Sequence, residues 1–143
     1  MSARLARTAE GWWLVAEAGL VRLGLPAATT AALLADRTAL AAAIESAQAA
    51  APQDAVPAES ADLLSPVTAP ARVVAQAVNY RSHAIDSGFD PDRVPAAFFR
   101  KASHSITGPA GDILRPDGVG FLDYEVEPAV GRGDGGGDDV AVV

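Results

Sequence analysis

Val78-Asn79-Tyr80-Arg81-Ser82-His83-Ala84-Ile85-Asp86 opens the half of the chain that decides its architecture. Phe98-Phe99-Arg100-Lys101 and Asp123-Tyr124-Glu125-Val126-Glu127 follow it. Together they supply a histidine, a lysine and alternating carboxylates, the groups that hold a hard cation and activate a water. The N-terminal half carries no comparable set of polar groups.

Upstream of this stretch, the apolar and β-branched run Val73–Val78 predicts a buried strand ending at Asn79. Tyr80 to Ser87 then make about two turns of helix closed by Gly88. Asp90-Pro91-Asp92 and Val94-Pro95 mark a loop, and Ala97–Lys101 forms a second short strand. Alternation from Phe121 to Val126 predicts a third.

Side chains two apart on a strand share a face, so Asp123, Glu125 and Glu127 point one way and Tyr124 and Val126 the other. Carboxylates in a row repel unless a positive charge sits among them, and magnesium suits such oxygen ligands. A solvated edge-strand face is the alternative. His83 and Asp86, three apart, are neighbours on a helical turn. A carboxylate there fixes the imidazole tautomer and makes a general base, although such pairs also stand idle on surfaces. Lys101 is placed either to donate to a developing oxyanion or simply to be solvated. Ser103 and Ser105 beside His104 lack the Gly-x-Ser-x-Gly elbow of a nucleophile, and the Gly-rich tail lacks the Lys-Ser/Thr ending of a phosphate loop.

In the N-terminal half, Arg4–Thr8, Trp12–Ala16 and Leu20–Leu23 read as an antiparallel meander joined by tight turns. Trp12 and Trp13 therefore face opposite sides of the sheet. From Thr29 to Gln48 the chain is helical, with Thr29 or Thr30 as N-cap. A break near Asp36-Arg37-Thr38 would make Thr38 a second cap. Leu33, Leu40 and Ile44 share one helix face, expected to cover the sheet. Ala49–Ser60, with Pro52 and Pro57, has linker composition, which puts a domain boundary between about Ala51 and Pro70.

Composition narrows the function classes. The 143 residues carry a net charge of −7 and no basic stripe, which argues against nucleic acid as a partner. Without cysteine there is no disulfide, thiolate nucleophile or cysteine metal site, as suits a reducing compartment. No secretory signal and no long apolar span is found, so the expected location is cytoplasmic, away from any membrane.

Asn79-Tyr80-Arg81-Ser82-His83, Phe99-Arg100-Lys101, Gly108-Pro109 with Gly111-Asp112-Ile113, and Asp123-Tyr124-Glu125-Val126-Glu127 occur in that order. This succession resembles the fumarylacetoacetate hydrolase family over about half the chain, from Arg72 to Glu127. The resemblance implies an α+β protein: a small N-terminal β-meander with helix, then an incomplete β-rich catalytic domain. The corresponding divisions are 1–60, an accessory domain with linker; 61–127, a partial catalytic domain; and 128–143, a Gly/Asp-rich tail without ordered structure.

By the same resemblance, Glu125 and Glu127 match metal ligands for Mg2+ (or Mn2+/Ca2+). His83 matches the water-activating histidine, Asp86 its carboxylate partner, and Lys101 the lysine that stabilises developing charge. The implied activity is hydrolysis of a carbon–carbon bond in a small 1,3-dicarbonyl or 2-keto acid such as an acylpyruvate. Decarboxylase, isomerase and lyase chemistry also occur in the family, and intact relatives are expected to be homodimers. Asp86 is one methylene shorter than the glutamate often found there. After Glu127 the pattern departs: Pro128 interrupts the strand, and no counterpart of the family's downstream aspartate ligand follows. The chain therefore reads as a truncated or frame-shifted fragment, inactive alone, or as a non-catalytic interaction module.

Overall fold

The computed structural model describes residues 3–123, 129–131 and 140–142. It divides into two compact units, residues 69–106 and the remainder. The fold is α+β.

The N-terminal part of the larger unit is the expected meander. Strands β1 (Leu5–Thr8), β2 (Gly11–Ala16) and β3 (Gly19–Arg22) pair antiparallel in chain order. Leu5 stands opposite Leu14, and Leu14 opposite Val21. Glycines occupy the turn positions: Gly11 and Gly19 both have φ of 130°. At Gly19 a Cβ would collide with the carbonyl of Val56, so only glycine lets the two backbones approach.

Two helices cover this sheet. Thr29 Oγ1 accepts from Ala32 N at 3.1 Å and starts α1 (Thr30–Ala35). The break falls where expected, but Asp36 rather than Thr38 caps α2 (Arg37–Gln48), its Oδ1 accepting from Ala39 N at 2.9 Å. Asp36 holds the non-helical N-cap conformation, whereas Thr38 already lies inside the helix. Leu33, Leu34, Leu40 and Ala47 from the helices meet Trp12, Leu14, Val21 and Leu23 in one core, with Ile44 packed against it. The helix face formed by Leu33, Leu40 and Ile44 thus covers the sheet as its spacing predicts.

The segment expected to be a linker, 49–60, and the residues that follow it are instead strapped along the sheet. Val56 and Leu20 exchange backbone hydrogen bonds at 2.8 and 2.9 Å, and Leu64 N donates to Arg7 O at 2.8 Å. One bridge therefore lies on the outer edge of β3 and another on that of β1. Thr30 holds the strap's end: its Oγ1 donates to Pro66 O at 2.5 Å and accepts from Thr68 N at 3.0 Å, while Thr30 N donates to Thr68 Oγ1 at 3.0 Å. The segment's prolines and alanines offer little bulk for a core, but the backbone groups of Val56 and Leu64 between them still pair.

Residues 69–106 contain β4 (Val73–Ala77), α3 (Arg81–Asp86) and β5 (Ala97–Lys101), with β4 and β5 paired antiparallel. The expectation of a buried strand at 73–78 is corrected: burial alternates along β4, and Val74 is 60% exposed. Among the described residues only β5 pairs with it, and Phe98, on the same face, is 65% exposed. The third strand is not formed where described, since Phe121, Leu122 and Asp123 lie outside any strand. Tyr124 to Val126 fall outside the described residues. In the tail, β6 (Ala129–Gly131) and β7 (Val140–Val142) pair antiparallel, with Ala129 opposite Val142.

Candidate functional site

The candidate site begins where β4 ends. Val78 has φ of 51°, the single non-glycine residue in the left-handed region among those described. A β-branched side chain is strained there, so the chain turns sharply at the start of the Asn79–His83 stretch. Tyr80, extended at φ −103°, precedes α3 and contributes no side-chain cap. The helix end is better closed. Ser87 N donates to His83 O at 3.0 Å, Gly88 N to Ile85 O at 3.0 Å, and Phe89 N to Ala84 O at 2.8 Å. Gly88 takes φ of 77°, the left-handed stop expected of it.

Ala84 is the anchoring side of α3, only 2% exposed. His83 is half-buried, and Asp86, the last residue of the helix, is exposed. The helix places them one turn apart, but no hydrogen bond or ion pair joins them among the described residues. Lys101 ends β5 opposite Val73, and its Nζ lies 5.0 Å from the centroid of the Phe99 ring. That cation–π contact holds the ammonium beside the hairpin face. Asp123 is exposed, while Glu125 and Glu127 lie outside the described residues. Among the described residues no three His, Asp or Glu side chains gather into a group that holds a metal ion. The two ligands that the resemblance implies, Glu125 and Glu127, are not in that set.

The serines around His104 are used structurally. Ser103 Oγ accepts from Ala71 N at 2.9 Å, and Ser105 Oγ donates to Ala102 O at 2.6 Å in a 3-10 turn. Neither is prepared as a nucleophile.

A bidentate ion pair of this unit escapes sequence reading. Arg81 grips Asp92 with both guanidinium nitrogens, at 2.6 and 3.1 Å. Asp92 holds the Arg81 pKa above its ordinary value, and the guanidinium in turn keeps the Asp92 carboxyl below the usual carboxylate range. Asp90 shapes the loop: its Oδ1 accepts from Asp92 N at 3.0 Å, and its carbonyl accepts from Arg93 N and Val94 N at 3.0 and 3.1 Å. The available signal was Asp90-Pro91-Asp92, a turn-forming run that carries two carboxylates.

Comparison with known proteins places this segment. Residues 72–140 match the family model described as fumarylacetoacetate (FAA) hydrolase C-terminal. An oxaloacetate tautomerase, Fahd2a, mitochondrial, of Rattus norvegicus is 35% identical over 75 residues, 52% of this chain and 24% of that protein. An uncharacterized protein of Pyrococcus horikoshii is 38% identical over 61 residues, 43% of this chain and 26% of that protein. The chain thus spans about a quarter of the length of these curated relatives. No solved structure matches it.

Proposed function

Because residues 72–140 belong to the fumarylacetoacetate hydrolase family, we propose that they carry part of a site acting on a small 1,3-dicarbonyl or 2-keto acid. In this reading His83 accepts the proton of the attacking water, Asp86 orients the imidazole, and Lys101 donates to the oxygen on which charge develops. Glu125 and Glu127 hold a divalent cation, Mg2+ with Mn2+ or Ca2+ as substitutes. The chemistry that such a cation supplies is charge stabilisation at an enolate oxygen.

The observation that carries the reading is the order β4, Val78 turn, α3 within the matched segment. It sets His83 on a short helix directly after a strand whose hairpin partner ends in Lys101. Hydrolytic cleavage of an acylpyruvate is the first assignment. The rat relative, an oxaloacetate tautomerase, favours a second: proton transfer between carbon and oxygen on the same kind of substrate, without carbon–carbon bond cleavage. Both require a base and a stabilised enolate. A chain free of cysteine suits any reducing compartment, the cytoplasm first among them.

The 143 residues alone are expected to turn over little or no substrate, since they span only about a quarter of the length of the relatives they match. Calorimetric titration with Mg2+ tests the reading. Weak saturable binding that disappears in Glu125→Ala supports it; no saturable binding favours a non-catalytic interaction module. Incubation with Mg2+ and either acetylpyruvate or oxaloacetate, followed by ultraviolet absorbance, checks the expected lack of turnover. Absorbance falling at an enzyme-like rate would refute that part.

A further inference from the structure

His83 stands on a helix of six residues, fewer than two turns. A helix this short does not persist by itself, because nucleation costs more than so few bonds return. Its C-terminal end is closed by Gly88 and its Ala84 side is buried. Its N-terminal end has neither a capping side chain nor an acidic residue in the first turn. Arg81, the first helical residue, even carries the wrong sign for the positive end of the helix dipole.

Asp92 corrects this from outside the helix. Its two oxygens meet Nη1 and Nη2 of Arg81 at 2.6 and 3.1 Å, the fork-to-fork geometry that fixes direction as well as distance. The carboxylate does not arrive on a loose loop, because Asp90 braces residues 92–94 through its side chain and carbonyl. Arg93 Nε adds a contact to Asp90 Oδ2 at 3.6 Å. Phe89 N, bonded to Ala84 O, starts the same loop from the helix's far end. The loop therefore runs back along α3 and is fastened near both ends.

We propose that Arg81 and Asp92 are the positioning pair of His83: their bidentate clamp holds the uncapped first turn of α3, so that the imidazole is presented in one orientation. The functional consequence rests on the reading of His83 as proton acceptor; the clamp itself does not. Exposed ion pairs commonly add little to global stability, so the effect is local order, visible at the helix rather than in the melting of the whole chain.

The test is nuclear magnetic resonance on the full chain and on Arg81→Ala, Asp92→Ala, Arg81→Asp and the exchanged pair Arg81→Asp with Asp92→Arg. Two readouts are followed. One is hydrogen exchange at Ala84, Ser87 and Gly88, with Leu14 and Val21 as reference amides. The other is the imidazole carbon–proton signal of His83, with His104 as reference.

Each single alanine variant is expected to speed exchange in α3 roughly threefold or more and to move the His83 signal while that of His104 stays. The exchanged pair restores both. Arg81→Asp alone is decisive, since the helix dipole by itself predicts a tighter helix and the clamp a looser one. Unchanged exchange and an unmoved His83 signal in the alanine variants would overturn the proposal. So would a tighter helix in Arg81→Asp alone, or failure of the exchanged pair to restore. Loss of protection at Leu14 and Val21 would overturn it too, because the pair would then support the whole fold. Finding later that His83→Ala leaves turnover intact in an active assembly would remove the proton-acceptor reading and leave these outcomes untouched.

Discussion

Trp12 and Trp13, adjacent in β2, bury their indoles on opposite faces of one sheet and satisfy them differently. Trp12 Nε1 donates to Ala27 O at 2.8 Å from within the main core, whereas Trp13 Nε1 donates to the buried Thr8 Oγ1 at 2.9 Å. Arg22 lies 5.8 Å from the Trp13 ring and shields its outer side.

Thr8 Oγ1 also accepts from Glu10 N at 3.1 Å, so one hydroxyl serves the turn and the second tryptophan. Thr8→Val keeps the shape and leaves the buried indole N–H without a partner. It is expected to cost roughly 1–3 kcal/mol, with Thr8→Ser recovering most of it. Urea unfolding followed by tryptophan fluorescence checks both.

At Gly19 two penalties coincide, a φ of 130° and the Val56 carbonyl where a Cβ would stand. Gly19→Ala should destabilise the chain by about 2 kcal/mol or more, because relief requires breaking the Leu20–Val56 bridge. Gly11→Ala, with the same φ but open space, separates the terms and should cost less. Thermal unfolding by circular dichroism gives the difference.

Val78 reverses this situation, with a β-branched residue where glycine would be at ease. Val78→Gly removes left-handed strain at the cost of backbone entropy. The net expectation is a gain of up to about 1 kcal/mol for residues 69–106. Hydrogen exchange at the β4–β5 amides reads it, and a loss of protection there would contradict the assignment of strain.

Because Arg81 depresses the Asp92 pKa, the Asp92 contribution is present above the ordinary carboxylate range. It is lost as pH falls through the depressed value. Arg81, raised by the same contact, keeps its contribution until above the ordinary guanidinium range. Carboxyl carbon shifts of Asp92 should therefore titrate below the ordinary range, and Arg81→Ala should move that midpoint upward.

Local signals carried much of this fold. Turn residues and alternation delimit β1, β2 and β3 to within a residue or two, and Leu33, Leu40 and Ile44 identify the covering helix face. Each signal lies within a few positions of what it determines. The pairing partners of residues 55–68 were not legible, since their backbone pairs with strands more than 30 residues away.

The Arg81–Asp92 clamp failed to show for a related reason: eleven residues separate the partners, and only the Asp90 turn brings them together. For the site, sequence order identified the family segment but not its geometry. His83 and Asp86 fall one turn apart as their spacing requires, yet spacing does not make their atoms meet.

The strap also determines how the N-terminal sheet behaves toward its own kind. With single bridges on the outer edges of β1 and β3, neither strand offers an open ladder along its whole length to a neighbouring molecule. Residues 55–68 thus act as insulation against strand-by-strand polymerisation. A segment with almost no core to its name keeps a three-stranded sheet from growing a fourth.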